Sequence, residues 1–299
     1  MLKDHFFPAL IRAPRLALGI ATTTRLCQHA QQAHSLQTTS AIALGRLMTA
    51  AALTGLLRQQ SGTVSLQVLC EGRLHHLYAD ITPEGYGRGY VKNATMAMPA
   101  LLGETVTGRR SIAAAIGKGH LSVIRMPEDR DFTQSMTPLV SGELDADVEH
   151  FLIASDQIPT ALVCDVLLDE EGKISRAGGV IVQALPGADL ARLEAIKKSL
   201  AGEGFAALLA DHAREPGDLL HEIDPTGEMT DEGLALHWRC RCSFERVLAS
   251  LRLFGAVYLA EMLSEGEPVH VTCDFCGQVY DVSPEKVGEV YRSLVQQVD

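Results

Sequence analysis

Four cysteines near one end of the sequence are the residues whose type and spacing best suit chemistry. They form two tight pairs, Cys240-Arg241-Cys242 and Cys273-Asp274-Phe275-Cys276. Four thiolates at tetrahedral corners are a standard closed set for zinc, so the pattern predicts one zinc per reduced chain held by Cys240, Cys242, Cys273 and Cys276. The two residues inside the second pair allow a tight turn that points both sulfurs inward. Gly277 follows, where such a turn often needs a positive φ. In the first pair an extended backbone puts residues i and i+2 on one side of the chain. Two competing readings carry less weight. Incidental buried cysteines would not cluster four of seven into two pairs. A thioredoxin-like redox motif should open a helix after a strand. Here Val269–Thr272 and Gly277–Tyr280 both read as strands, so the second pair is a hairpin knuckle.

The elements that must position these sulfurs are short. Ser243 is suited to cap a helix from Phe244, with Val247, Leu248, Leu251 and Phe254 as its apolar face. Ser283-Pro284 is an N-cap and first-turn pair for a last helix through Val287, Val290, Tyr291 and Leu294. A module of about sixty residues is of a size that a metal commonly supplements. Arg239, Arg241 and Arg246 read either as cations softening a tetrathiolate or as a solvated basic face.

Elsewhere the chemical signals are weak. His75-His76 lacks ligand spacing and reads as strand surface. Gly85, Gly87 and Gly89 do not have the dinucleotide spacing, and Gly117-Lys118-Gly119 is not a phosphate loop. Cys27, Cys70 and Cys164 lie in apolar surroundings and read as structural. No nucleophile–base set stands out, so no catalytic residues are expected and the chain is not read as an enzyme.

The chain has 299 residues, 46% hydrophobic and 21% charged, a globular composition long enough for about two domains. Its 26 basic and 37 acidic side chains leave a net charge of -11, which disfavours binding to phosphate backbones. The start does not read as a signal peptide, and Leu44–Leu57, the nearest approach to a membrane span, reads better as a buried helix. The expected location is the cytoplasm, where cysteines seldom form a structural disulfide framework.

Residues 1–185 read as one α/β-type unit. Thr39–Gln59 is a helix candidate capped by Thr39 or Ser40, and its alanines and glycines invite close approach. Thr63–Cys70, Arg73–Asp80, His120–Met126, Thr160–Leu168 and Gly179–Leu185 read as strands, and Asp145–Ala154 as a helix with Val148, Phe151 and Leu152 inward. This unit should fold without metal. Residues 186–236 change character: short amphipathic stretches around Leu193, Phe205 and Leu220 alternate with glycine and proline breakers. Helices this short need a neighbour to hold them.

Taken together, the sequence resembles the thirty-three-kilodalton heat-shock protein family over nearly its whole length. The resemblance rests on the four-cysteine pattern and on Cys240-Arg241-Cys242-Ser243-Phe244-Glu245-Arg246. It rests also on Ser141-Gly142-Glu143-Leu144, Ser155-Asp156-Gln157-Ile158-Pro159-Thr160, Ala177-Gly178-Gly179 and Gln183-Ala184-Leu185-Pro186. A Tyr-x-Gly stretch common in the family is replaced by Phe132-Thr133-Gln134-Ser135. The resemblance implies an α+β protein: an N-terminal α/β-type sandwich domain (1–185), a metastable helical linker (186–236) and a small C-terminal zinc-binding redox domain (237–299). It implies a redox-regulated, ATP-independent holdase whose partners are unfolding client proteins, and a homodimer when oxidised, with no nucleic acid or membrane partner. It further implies that oxidants drive Cys240, Cys242, Cys273 and Cys276 into disulfides, paired within each motif in the family pattern; spacing alone does not exclude cross-pairs. Readings from other classes are a nucleic-acid-binding zinc ribbon and a thiol-disulfide oxidoreductase.

Overall fold

The structure is a computed structural model and describes residues 3–13, 15–58, 62–97, 110–129, 131–201, 203–211 and 215–296. The chain divides into two compact units, one ending at Arg239 and one beginning at Cys240.

Two six-stranded sheets frame the first unit. One contains β1 (His5–Ile11), β2 (Leu16–Thr22), β8 (Thr160–Leu168), β9 (Ile174–Ala184), β10 (Gly227–Met229) and β11 (Leu234–Ala235), in the order β10-β1-β2-β9-β8, with β11 also on β1. The other runs β12 (His237–Trp238), β5 (Tyr86–Val91), β4 (His76–Ile81), β3 (Thr63–Cys70), β6 (Gly119–Met126) and β7 (Thr133–Pro138). All pairings are antiparallel except that of β12 with β5. The helices are α1 (Thr24–His34), α2 (Thr38–Leu56), α3 (Ala113–Ile116) and α4 (Leu144–Ala154).

Helix α2 packs against strands of both sheets, and every residue from Thr39 to Leu56 is buried. Its small residues are required by this position. A Cβ on Gly45 would sit 2.7 Å from the Val166 side chain of one sheet, and one on Gly55 would sit 2.6 Å from Ile81 of the other. The helix starts at Thr38, with Gln37 as N-cap, not Thr39 or Ser40. The backbone N–H groups of Thr39 and Ser40 donate to the Met96 carbonyl at 3.2 and 3.3 Å, so a tertiary partner replaces the side-chain cap. The helix ends at Leu56, and Gln59 lies outside the described residues.

One cation is buried in this core. Arg46 is fully enclosed and pairs with Asp165 of β8 at 2.8 Å and with Glu143 at 2.9 Å, and it donates to the Arg110 carbonyl at 2.7 Å. Glu143 also accepts from the Ile112 N–H at 3.0 Å and from the Ser111 hydroxyl. Helix α4 buries Val148, Phe151 and Leu152 as its periodicity predicts, but it also buries Asp145, Asp147 and Glu149. Each carboxylate has a backbone task. Asp147 accepts from the N–H groups of Val140, Ser141 and Gly142 at 2.8 to 3.0 Å. Asp145 and Glu149, one turn apart, accept from Cys164 at 3.0 Å and Leu162 at 2.8 Å on the outer edge of β8. The edge strand is thus covered, and the outward N–H groups of Leu162 and Cys164 are satisfied.

Helices α5 (Leu190–Leu200), α6 (Glu203–Ala210) and α7 (Pro216–Ile223) belong to this same unit. Leu193, Ile196, Leu200, Phe205, Leu220 and Ile223 form a core with Leu18, Val163, Val180 and Val182, on the face of the β1-containing sheet turned away from α2. Neighbouring residues such as Leu162, Cys164 and Ile181 face α2. Strands β8 and β9 therefore carry apolar residues on both faces, the pattern of a sheet covered on both sides. The segment 227–238, which carries no strand signal, supplies β10, β11 and β12; residues 5–22 likewise supply β1 and β2.

Two ion pairs fasten the helices. Lys197 of α5 pairs with Glu149, and Arg192 of α5 pairs with Asp224 beyond α7 at 2.7 Å. Burial pushes the Asp224 carboxyl up, but its bonds from Thr226 and Arg192 outweigh this and hold it below the ordinary 3.8. A depressed folded-state value means that this stabilisation is complete above pH 3.8 and fades as pH falls through the lower folded value. Asp224→Asn should loosen the helices at neutral pH by about 1–3 kcal/mol, the cost of a hydrogen bond to a charged group. Amide exchange over 190–223 should speed up in the variant, and the difference from wild type should shrink below pH 3.8.

The second unit comprises α8 (Phe244–Leu251), a 3₁₀ turn (Arg252–Phe254), α9 (Gly255–Glu265), β13 (Val269–Thr272), β14 (Val279–Val282) and α10 (Pro284–Val295). Val247, Leu251, Leu259, Val282, Val287 and Val290 form its core. Ser243 and Ser283 cap α8 and α10 by accepting from Arg246 at 3.3 Å and Lys286 at 3.4 Å. Phe254, expected on the apolar face, is exposed: the 3₁₀ turn and the positive φ of Gly255 rotate it out of the α8 register.

Among the described residues two helical stretches, Thr38–Leu56 and Phe244–Glu265, are long and apolar enough to cross a membrane, more than the sequence reading allowed. The first is wholly enclosed by protein. The second is interrupted by the 3₁₀ turn at 252–254, which breaks the continuous backbone bonding that lipid demands.

Candidate metal centre

Strands β13 and β14 pair in register from Val269 with Val282 to Thr272 with Val279, and the second cysteine pair sits in the turn between them. The Cys273 N–H donates to the Gln278 carbonyl, and the Gly277 N–H to the Cys273 carbonyl, both at 2.9 Å. Gly277 has φ +71°, the left-handed conformation that closes the knuckle. The turn joins two antiparallel strands, so it lacks the strand-to-helix setting of a thioredoxin-like pair.

The knuckle brings Cys273 and Cys276 to Cys240 and Cys242. The four Sγ atoms lie within 4.8 Å of one another and could hold a metal ion. Cys240 Sγ is 3.6 Å from Cys273 Sγ, and Cys242 Sγ is 3.6 Å from Cys276 Sγ. A tetrahedron with metal–sulfur distances of about 2.3 Å has edges of about 3.8 Å, so the spacing fits the donor set. These contacts are far longer than a disulfide, and all four cysteines are free and half-buried.

The surroundings treat the sulfurs unequally. Cys273 accepts from the N–H groups of Phe275 and Cys276, and Cys276 from that of Gln278. Cys242 receives the Tyr280 hydroxyl at 3.0 Å. Burial opposes ionisation of Cys242, but the Tyr280 hydroxyl and the neighbouring sulfurs overcome it and bring the thiol down to about 7. Burial and then competition from the other sulfurs push Cys276 up to about 12 and raise Cys273. Crowded thiols share little negative charge by themselves; a cation among them lets all four ionise.

The other sequence candidates are not members of this cluster. His76 is on a strand, edge-on to Tyr90. Gly85 and Gly117 supply positive φ at turns. Cys27 and Cys164 are buried, Cys27 so deeply that burial pushes its thiol up to about 12, and Cys70 is half-buried. Arg239 places its guanidinium 4.7 Å from the centre of the Tyr86 ring. Sequence reasoning missed Tyr280 as a neighbour of the cluster. Its only signal was its place four residues beyond Cys276, in alternation with the buried Val282.

The Hsp33 protein family model matches residues 4–283. The chain belongs to the Hsp33 protein family. A 33 kDa chaperonin of Acaryochloris marina is 34% identical across 95% of this chain and 97% of its own length. A 33 kDa chaperonin of Thermus thermophilus is 37% identical across 95% of this chain and 84% of its own. The crystal structure of the Thermotoga maritima 33 kDa chaperonin superposes with a TM-score of 0.82 at 27% identity, covering 98% of this chain and 99% of that one. This family membership confirms the resemblance read from the cysteines and the Ser-Gly-Glu-Leu segment, and the mixed α+β architecture with it. In this Hsp33 chain the Ser-Gly-Glu-Leu segment has a physical role: it presents Glu143 to Arg46 and wraps its N–H groups around Asp147.

Proposed function

We infer that the chain is a chaperone of the holdase type. It acts in the cytoplasm without ATP and is switched on when oxidants pair its four clustered cysteines and zinc is lost. The supporting observation is the combination of two features. Four thiols converge at metal-binding distance, and three short helices cover a continuous apolar sheet face. Zinc at the cluster keeps the four cysteines as thiolates, the form that reacts with peroxide and hypochlorite.

The pairing decides the mechanical outcome. Two of the sulfur contacts, Cys240 with Cys273 and Cys242 with Cys276, each at 3.6 Å, join different motifs. Cross-pairing would staple the knuckle to the 240–242 segment. Pairing within each motif, Cys240 with Cys242 and Cys273 with Cys276, severs that connection and removes every ligand. The second unit then loses its organising centre, and α5 to α7 leave the sheet. Val163, Val180, Val182 and Leu18 become an apolar surface for unfolding proteins. The oxidised form is proposed to act as a homodimer.

The test compares reduced and peroxide-treated protein, the latter gently warmed, in suppressing aggregation of a heat-unfolded substrate. The oxidised form should suppress aggregation and the reduced form should not. Amide exchange over 190–223 should rise on oxidation, and peptide mapping should find the within-motif disulfides. Equal activity in both forms, or equal protection of α5 to α7, would refute the switch.

A further inference from the structure

We propose that Tyr280 is a positioning residue that sets the oxidant threshold of the cysteine cluster through its hydroxyl bond to Cys242. The proposal rests on the metal and redox reading of that cluster. The knuckle sulfurs are served by backbone N–H groups, two at Cys273 and one at Cys276. Cys242 lies in a Cys-x-Cys pair outside that knuckle, and the Tyr280 phenol reaches it at 3.0 Å. Strand β14 fixes the phenol in place: Tyr280 pairs with Val271 across the hairpin and packs against the core of the unit.

An O–H donor on a thiolate withdraws electron density from sulfur. It eases the charge of four thiolates around one divalent ion and occupies a lone pair that would otherwise attack an oxidant. In the first oxidation step the Cys242 sulfur attacks one oxygen of peroxide; the S–O bond forms, the O–O bond breaks and hydroxide leaves. In the second, a neighbouring thiolate attacks that sulfur; the S–S bond forms and a second hydroxide leaves. Each disulfide thus takes two electrons to one peroxide. Tyr280 restrains the first step.

The effect can be sized. A hydrogen bond to a charged acceptor is equivalent to about 10–100-fold in an equilibrium, and outer-shell partners change metal affinity by about the same factor. Thiolate nucleophilicity follows basicity with an exponent of ~0.4–0.5. Losing the hydroxyl should therefore speed attack on peroxide about three- to tenfold.

The experiment uses the full reduced chain loaded with zinc or with cobalt(II). In Tyr280→Phe, zinc affinity measured against a chromophoric chelator should fall about tenfold, and thiol loss to peroxide should accelerate as above. The sulfur-to-cobalt charge-transfer band should move to lower energy, which a purely packing role would not cause. Tyr291→Phe removes a phenol from the same core and should change none of these. Placing 3-fluorotyrosine at 280, a stronger donor, should shift band and rate the opposite way, and it keeps the proposal testable if the phenylalanine variant does not fold. Wild-type-like band and rate in both position-280 variants would overturn the role of Tyr280 while leaving the metal centre intact. Reduced wild type that takes up neither metal would overturn both.

Discussion

A strong chelator added to the reduced protein should unfold residues 240–299 and leave the first unit folded. Among its described residues the second unit has six buried apolar side chains in its core, a small core of the kind that metals commonly supplement. Its two limbs, 240–242 and the β13–β14 hairpin, meet at the four sulfurs. Structural zinc contributes about 10–16 kcal/mol to modules of this kind at neutral pH, comparable with the whole stability of a domain. The check is limited proteolysis with amide exchange. Cleavage should appear within α8 to α10 on chelation and be suppressed by returning zinc. The single tryptophan, Trp238, packs against the main core of the first unit, so its emission should barely change. A second unit that stays protected without metal would show that its apolar core is sufficient.

Arg46→Met should be the most damaging single substitution in the first unit. Methionine replaces much of the apolar stem, so the loss falls on the charge and its bonds. Glu143 and Asp165 would both lose the buried guanidinium that pairs with them. Removing one partner of a buried ion pair costs about 3–5 kcal/mol, because the stranded charge keeps its desolvation penalty. Urea unfolding followed by Trp238 emission would report it as a lowered midpoint with an unchanged slope. Adding Glu143→Gln and Asp165→Asn to Arg46→Met should recover part of the loss, since neutral amides tolerate the site better than carboxylates that have lost Arg46. A midpoint shift corresponding to under about 1 kcal/mol would mean that the network is compensated by its backbone bonds.

The cysteine cluster was legible in the sequence because metal ligands obey local spacing. The turn at 273–277 and both serine caps, at Ser243 and Ser283, are likewise local. The interior of the first unit was only partly legible. Strand β3 was read from its alternation and β8 has the bounds expected of it, whereas β1, β2 and β10 to β12 are too short, too uniformly apolar or too polar to announce themselves. They are strands because of partners far away in the chain, as Leu10 pairs with Glu228 and His237 with Tyr86. The burial of the α4 acids had no signal in the sequence because periodicity counts only apolar residues; Asp145 and Glu149 are buried where β8 needs acceptors. Tyr280 was illegible for the same reason: nothing local marks a phenol that reaches a sulfur thirty-eight positions earlier.

The strand order also governs how the protein is made. Strand β2 finds its inner neighbour only when β9 exists, about 150 residues later, and β1 gains its second neighbour only with β10. At about 5–20 residues per second, the first strands wait roughly 10–30 s on the ribosome for the partner that completes the sheet. When β9 has emerged, α5 to α7 have still to follow it out of the ribosome, so the sheet face they will cover is bare. Each newly made molecule thus passes through a bare-faced form before it first becomes sealed, and it does so beside other nascent chains.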